Sequence, residues 1–139
     1  MTVAAFINFN STKTSWTCFI DGNEMQNFNL SNANYSLPIC DTSNLNVTTK
    51  TTPRNLTVVA SGTTDNPFLF DFILYIPDAS TILDNATVTV FPDDSQLQYD
   101  SSWNTSDATD HVQTSAKGAS MTFDFVGALP QAHSFKNFL

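Results

Sequence analysis

Nearly every apolar segment of this chain alternates with a period of two, and no stretch of ten or more residues carries a helical period. Side chains two positions apart share one face of a strand, so this pattern commits the chain to β structure. TVAAFINF (2–9) opens as a strand, and SWTCFIDGNEMQNF (15–28) reads as a hairpin turning at Asp21-Gly22. Residues 41–54 form a turn-rich connection with a weak strand in LNVTT, followed by a strand in NLTVVAS (55–61). FLFDFILYIP (68–77) is apolar on both faces and reads as one central strand, and ATVTVFP (86–92) ends at Pro92. SMTFDFVG (120–127) sets Met121, Phe123 and Phe125 on one face against Thr122 and Asp124 on the other. The tail from residue 128 to 139 fits no pattern. About eight short strands spaced by turn signals predict an all-β, antiparallel β-sandwich.

Asp71 stands alone in the apolar run DNPFLFDFILYIPDAS (65–80). No catalytic partner lies near it in sequence. A buried carboxylate needs hydrogen-bond donors, so Asp71 reads as a structural residue held mid-strand by an amide or a threonine hydroxyl.

With 139 residues the chain has the size of one domain and can bury one core. Its composition is polar but sparsely charged: 41% hydrophobic residues, 13% charged, twelve phenylalanines, and Ser plus Thr at about a quarter. The formal net charge is −8, and the five bases, Lys13, Lys50, Arg54, Lys117 and Lys136, are scattered without a cluster. A phosphate backbone would be repelled, which excludes nucleic acid as a partner and disfavours an anionic membrane surface. No segment reaches the ~18 apolar residues of a membrane helix. No membrane contact is therefore expected from this segment itself.

Two features point to an oxidising compartment. Cys18 and Cys40 are the only cysteines. They read as one disulfide on neighbouring strands, closing a loop of about 20 residues worth roughly 3 kcal/mol; the competing reading is two buried free thiols. Seven N-x-S/T sequons occur, at Asn10, Asn29, Asn34, Asn46, Asn55, Asn85 and Asn104, about twice the number chance predicts from the composition. Together they predict an extracellular or cell-surface glycoprotein. MTVAAFINFN lacks the basic n-region and long apolar run of a signal peptide, so the expectation is a fragment of a longer secreted or anchored protein.

Four segments carry a resemblance. DDSQLQYDSSW (93–103) and HVQTSAKGASMTFDFVG (111–127) resemble the opening half of a module repeated in basidiomycete fungal surface proteins. SWTCFIDG (15–22), followed by a second cysteine at Cys40, and FLFDFILYIP (68–77) resemble the closing half of that module. These are single-pass membrane proteins whose ectodomain modules are jelly-roll β-sandwiches similar to galactose-binding domains. The resemblance implies a jelly-roll-like, galactose-binding-domain-like fold in circularly shifted order. Residues 1–78 would be the closing half of one module, 79–92 a linker, 93–127 the opening half of the next, and 128–139 a loose tail. In such an arrangement SMTFDFVG should lie beside TVAAFINF or lead towards it. The implied function is a non-catalytic module in adhesion, wall contact or sensing, with no cofactor.

The remaining chemistry is thin. His111 and His133 are the only histidines, no Gly-x-Ser-x-Gly elbow is present, and no Cys/His set has zinc spacing. No catalytic and no metal-binding residue is assigned. His111 reads as structural. Asp93 and Asp94 fit a turn, with calcium binding or acid–base work as the competing uses of a carboxylate pair. Trp103, Tyr99 and Trp16 are the candidate glycan contacts, because aromatic faces form the apolar walls of sugar sites; the alternative is ordinary core packing. A carbohydrate or cell-wall glycan is thus the candidate partner, in a carbohydrate-binding module or, less economically, a hydrolase remnant. The Asn-rich loop NLSNANYS (29–36) offers hydrogen bonds to sugar, although its own sequons suggest that it carries sugar instead.

Overall fold

The strand predicted at 55–61 becomes the central strand of a five-stranded sheet. The computed structural model describes residues 2–4, 14–31, 36–41, 52–77, 88–106 and 111–128. In it, β6 (Arg54–Ser61) pairs antiparallel with β2 (Ser15–Ile20) on one side and β13 (Lys117–Phe125) on the other. Beyond them β3 (Asn23–Glu24) and β10 (Leu97–Tyr99) complete a five-stranded sheet in the order β10-β13-β6-β2-β3. The period of two is realised literally: along β6, Arg54, Leu56, Val58 and Ala60 are buried while Asn55, Thr57, Val59 and Ser61 stay partly exposed. In β13, Met121, Phe123 and Phe125 point inward as the alternation predicts.

The second sheet has β1 (Thr2–Ala4) between β8 (Phe72–Pro77) and β5 (Ser36–Asp41), with β4 (Gln26–Ser31) beyond β5. β8 also pairs with β9 (Val88–Val90) and β14 (Gly127–Ala128). A third, three-stranded sheet runs β11 (Trp103–Asn104), β12 (Val112–Thr114), β7 (Phe68–Phe70). Every pairing is antiparallel, and no helix occurs among the described residues. The architecture is all-β and consistent with a β-sandwich. One hydrophobic core draws Cys18, Leu56, Val58 and Phe123 from the first sheet, Ile73, Val90 and Cys40 from the second, and Phe68, Phe70 and Val112 from the third. Residues 93–127 therefore share a core with the first 77.

Three expectations change. The run FLFDFILYIP is two strands in two sheets, and Asp71 is the non-strand residue between them. The inward phase shifts there from even positions, Phe68 and Phe70, to odd ones, Ile73 onward. A one-residue slip exchanges the faces of a strand, so apolarity on both sides marks a chain changing sheets. Asp71 is accordingly half-buried at the switch, and not mid-strand among Leu69, Ile73 and Tyr75. The second change concerns the cysteines. Cys18 and Cys40 form a disulfide with Cα atoms 6.1 Å apart, but β2 and β5 belong to different sheets and face each other across the core. The bond ties sheet to sheet.

The third change is the far arm of the hairpin read at 15–28: within that arm only β3 pairs with β2, and after Met25 the chain passes into β4 of the second sheet. The turn itself forms as read. Asp21 and Gly22 have φ of +50° and +78°, and flank the pairing of Ile20 with Asn23, as a two-residue hairpin loop with both central residues left-handed requires. Gly62, the residue after β6, has a different reason to be glycine. A methyl group there would meet the Thr114 carbonyl oxygen and come within 2.6 Å of the Phe68 amide nitrogen. Both obstacles are backbone, so neither swings aside. Gly62→Ala is expected to cost about 1–3 kcal/mol by overpacking the junction of the first and third sheets; an unchanged urea midpoint would contradict this.

Among the described residues, the strand SMTFDFVG does not pair with the amino-terminal strand β1. It runs between β6 and β10, and past Val126 the chain crosses to the second sheet. There Gly127 and Ala128 pair with Pro77 and Ile76 of β8, the strand whose Phe72–Leu74 segment pairs with β1. It leads towards the first strand through this shared neighbour.

Candidate functional site

The three aromatic residues picked out as glycan contacts do come together. Trp16 packs on Phe68 with ring centroids 5.8 Å apart, Phe68 meets Trp103 edge-on at 6.0 Å, and Trp103 packs on Tyr99 at 5.6 Å. The row is built from β2, β7, β11 and β10, so it spans the junction of two sheets. Trp103 is only 7% exposed, and its indole Nε1 donates to the Ser120 carbonyl at 2.9 Å. An indole whose face and N–H are both occupied is a core residue. Trp16 and Tyr99 are half-buried at the ends of the row.

The segment before Trp103 is clamped by carboxylates. Asp94 accepts the Gln96 amide on Oδ1 at 2.9 Å, and its own N–H donates to the Phe91 carbonyl at 3.0 Å. The Asp93-Asp94 pair thus shapes a turn, with Asp93 exposed. The Tyr99 hydroxyl reaches back over it to donate to the Pro92 carbonyl at 3.0 Å. Burial raises the Tyr99 hydroxyl pKa well above its ordinary value, and the charges of Asp93 and Asp94 raise it further. Tyr75, which packs on Phe123 and Phe125, is raised by burial and then by Asp94. Both tyrosines stay neutral and serve as packing and hydrogen-bonding groups. Among the described residues no group of three or more His, Cys, Asp or Glu side chains is placed to hold a metal ion.

Asp100 is the strongest clamp, and its role is not evident from sequence. Its Oδ2 accepts the Ser120 amide at 2.6 Å and its Oδ1 the Ser102 amide at 2.8 Å. The Ser120 hydrogen bond is the largest cause holding this carboxyl below the usual 3.8; burial opposes it, and the Ser102 bond adds to the lowering. A carboxylate depressed in the native state contributes stability above its unfolded pKa, and loses it as pH falls through the folded value. The chain is therefore expected to lose stability progressively below about pH 4, and Asp100→Asn should flatten that loss. Thermal melts of both proteins at stepped pH check this; parallel acid profiles would contradict it.

Arg54 was one of five scattered bases on the linear chain, yet it is 4% exposed and pairs with Asp21 Oδ2 at 3.0 Å. The same aspartate accepts the Asn55 amide on Oδ1 at 3.0 Å, locking the hairpin turn to the start of β6. The signal was present: Arg54 shares the inward phase of Leu56, Val58 and Ala60. His111 adjoins β12 and is half-buried, whereas His133 lies outside the described residues.

The sequons divide the same way. Asn10, Asn34, Asn46 and Asn85 fall outside the described residues, and only the backbone of Asn29, in β4, is described. Asn104 is exposed with both following residues, and its Oδ1 accepts the Ser106 amide at 3.1 Å. Asn55 lies on the outer face of β6, where Nδ2 donates to Asp124 Oδ1 at 2.8 Å and Oδ1 accepts the Thr57 hydroxyl at 2.9 Å.

Compared with protein-family models, with curated proteins and with solved structures, the chain matches none of them.

Proposed function

We propose that this chain is a non-catalytic β-sandwich module from the ectodomain of a fungal cell-surface glycoprotein, acting in adhesion, wall contact or sensing. The observation that carries the reading is the fully buried Cys18–Cys40 disulfide between two sheets, since such bonds form and persist in oxidising compartments. The exposed Asn104 sequon agrees with it. Support for the jelly-roll, galactose-binding-like type in circularly shifted order is the core shared by residues 93–127 and the first 77, which that order requires. The β13–β6 register, running from Lys117 opposite Ser61 to Phe125 opposite Arg54, is the main seam between the two halves. Burial of Trp103 speaks against a sugar-stacking platform centred on that residue.

The test is expression behind a supplied signal sequence in a secretory host. Secreted protein with both cysteines oxidised and glycans on its sequons is the expected product, and it should adhere to isolated fungal walls without hydrolysing them. Alkylation of both cysteines without reductant would sink the reading. Selective binding on a glycan array would instead make the module a carbohydrate-binding one.

A further inference from the structure

The outer face of the five-stranded sheet holds an arrangement that core packing does not use. Phe19 of β2 lies directly opposite Thr57 of β6, which lies opposite Thr122 of β13. One step along β6 on the same face is Asn55, opposite Asp124. Phe19 is thus the diagonal cross-strand neighbour of Asn55, a spacing of about 7–8 Å between backbones that a large ring bridges. Phe19, Asn55, Thr57 and Val59 are all partly exposed, so an aromatic ring stands at the surface beside a sequon asparagine.

Resting on the secretory reading above, we propose that Asn55 carries an N-linked glycan whose first sugar lies along the sheet and packs on the face of Phe19. The sequon's two recognition side chains, Asn55 and Thr57, project from the same face because they are two residues apart on a strand. Attachment, by the secretory host's transferase, forms a bond from Asn55 Nδ2 to the anomeric carbon of a lipid-pyrophosphate-linked oligosaccharide. That carbon's bond to the pyrophosphate breaks, the pyrophosphate leaves on its lipid, and one amide proton is released to water. The other N–H remains to donate to Asp124, and Oδ1 still accepts the Thr57 hydroxyl, so the amide is held in a fixed orientation on both sides. The glycan leaves a central strand, flanked by β2 and β13, and has the sheet surface beneath it. The apolar face of a pyranose ring over a phenyl ring removes both from water, with exposed Glu24 opposite Phe19 and Asp124 opposite Asn55 as cross-strand neighbours. Its effect is to cover Phe19 and to stiffen the strand that joins both halves of the fold.

The experiment is a cycle in the secretory host: wild type, Phe19→Thr, Asn55→Gln and the double variant. Occupancy is read by glycopeptide mass spectrometry and stability by thermal melting. Asn55 should be occupied, and loss of its glycan should lower Tm by about 2–4 °C with Phe19 present, but by much less in the Phe19→Thr background. The same four proteins made in an oxidising host without glycosylation should show additive effects. Should Phe19→Thr fail to fold, nuclear Overhauser contacts between the Phe19 ring and the Asn55-linked sugar in wild type decide the matter. An occupied Asn104 with a bare Asn55 overturns the inference and leaves the secretory reading standing. Secreted protein with no sequon occupied overturns both. Occupied Asn55 with a Tm effect independent of Phe19, or with no ring–sugar contact, overturns the packing.

Discussion

Replacing Cys18 and Cys40 together by alanine should lower the unfolding free energy by about 3 kcal/mol, the loop-closure value for a separation of 22 residues. The disulfide closes β2, β3 and β4 into one loop whose ends lie in opposite sheets. Once it is cut, the denatured chain regains that freedom, and the covalent tie between the two sheets at this point is lost. Both sulfurs sit at 0% exposure, so no water is available to soften the loss. Urea denaturation of the oxidised protein and the double variant gives the difference directly. A loss under about 1 kcal/mol would mean that the sheets are held together elsewhere.

Trp103→Ala should cost about 3–5 kcal/mol, the range for truncating a large buried aromatic. Two rings pack on the indole, Phe68 and Tyr99, and the Ser120 carbonyl would lose its Nε1 donor. Trp103→Phe retains much of the packing but not the hydrogen bond, and should cost less, with about 1 kcal/mol from the bond itself. The ordering of these variants discriminates between roles. A tryptophan that served as a sugar platform would leave stability nearly unchanged when removed, and affinity for a glycan would vanish instead.

These variants probe what was legible in the linear chain to different degrees. The Asp21-Gly22 hairpin was readable because turn geometry is local: two residues needing positive φ between alternating strands admit few alternatives. The inward set Met121, Phe123 and Phe125 was readable because strand periodicity is also local. Gly62 was not, since its constraint comes from Thr114 and Phe68, which the chain reaches only after folding. Asp100 is illegible in the linear chain for the same reason: its amide partner Ser120 is 20 residues away.

The sequence by itself determined the β class, the inward and outward faces within single strands such as β6 and β13, the hairpin turn and the availability of a disulfide, because each depends on spacing between near neighbours. Which sheet a strand joins was decided only by tertiary structure. FLFDFILYIP reads the same whether it is one central strand or two strands meeting at Asp71, because periodicity within a segment does not encode its pairing partners. The partners are β12 for one half and β1, β9 and β14 for the other, set by how three sheets close around one core. The same closure put Cys18 opposite Cys40 across the sandwich and drew Trp103 inward. Burial is a property of the assembled sheets, and an aromatic side chain looks the same in sequence whether it meets a sugar or a phenylalanine.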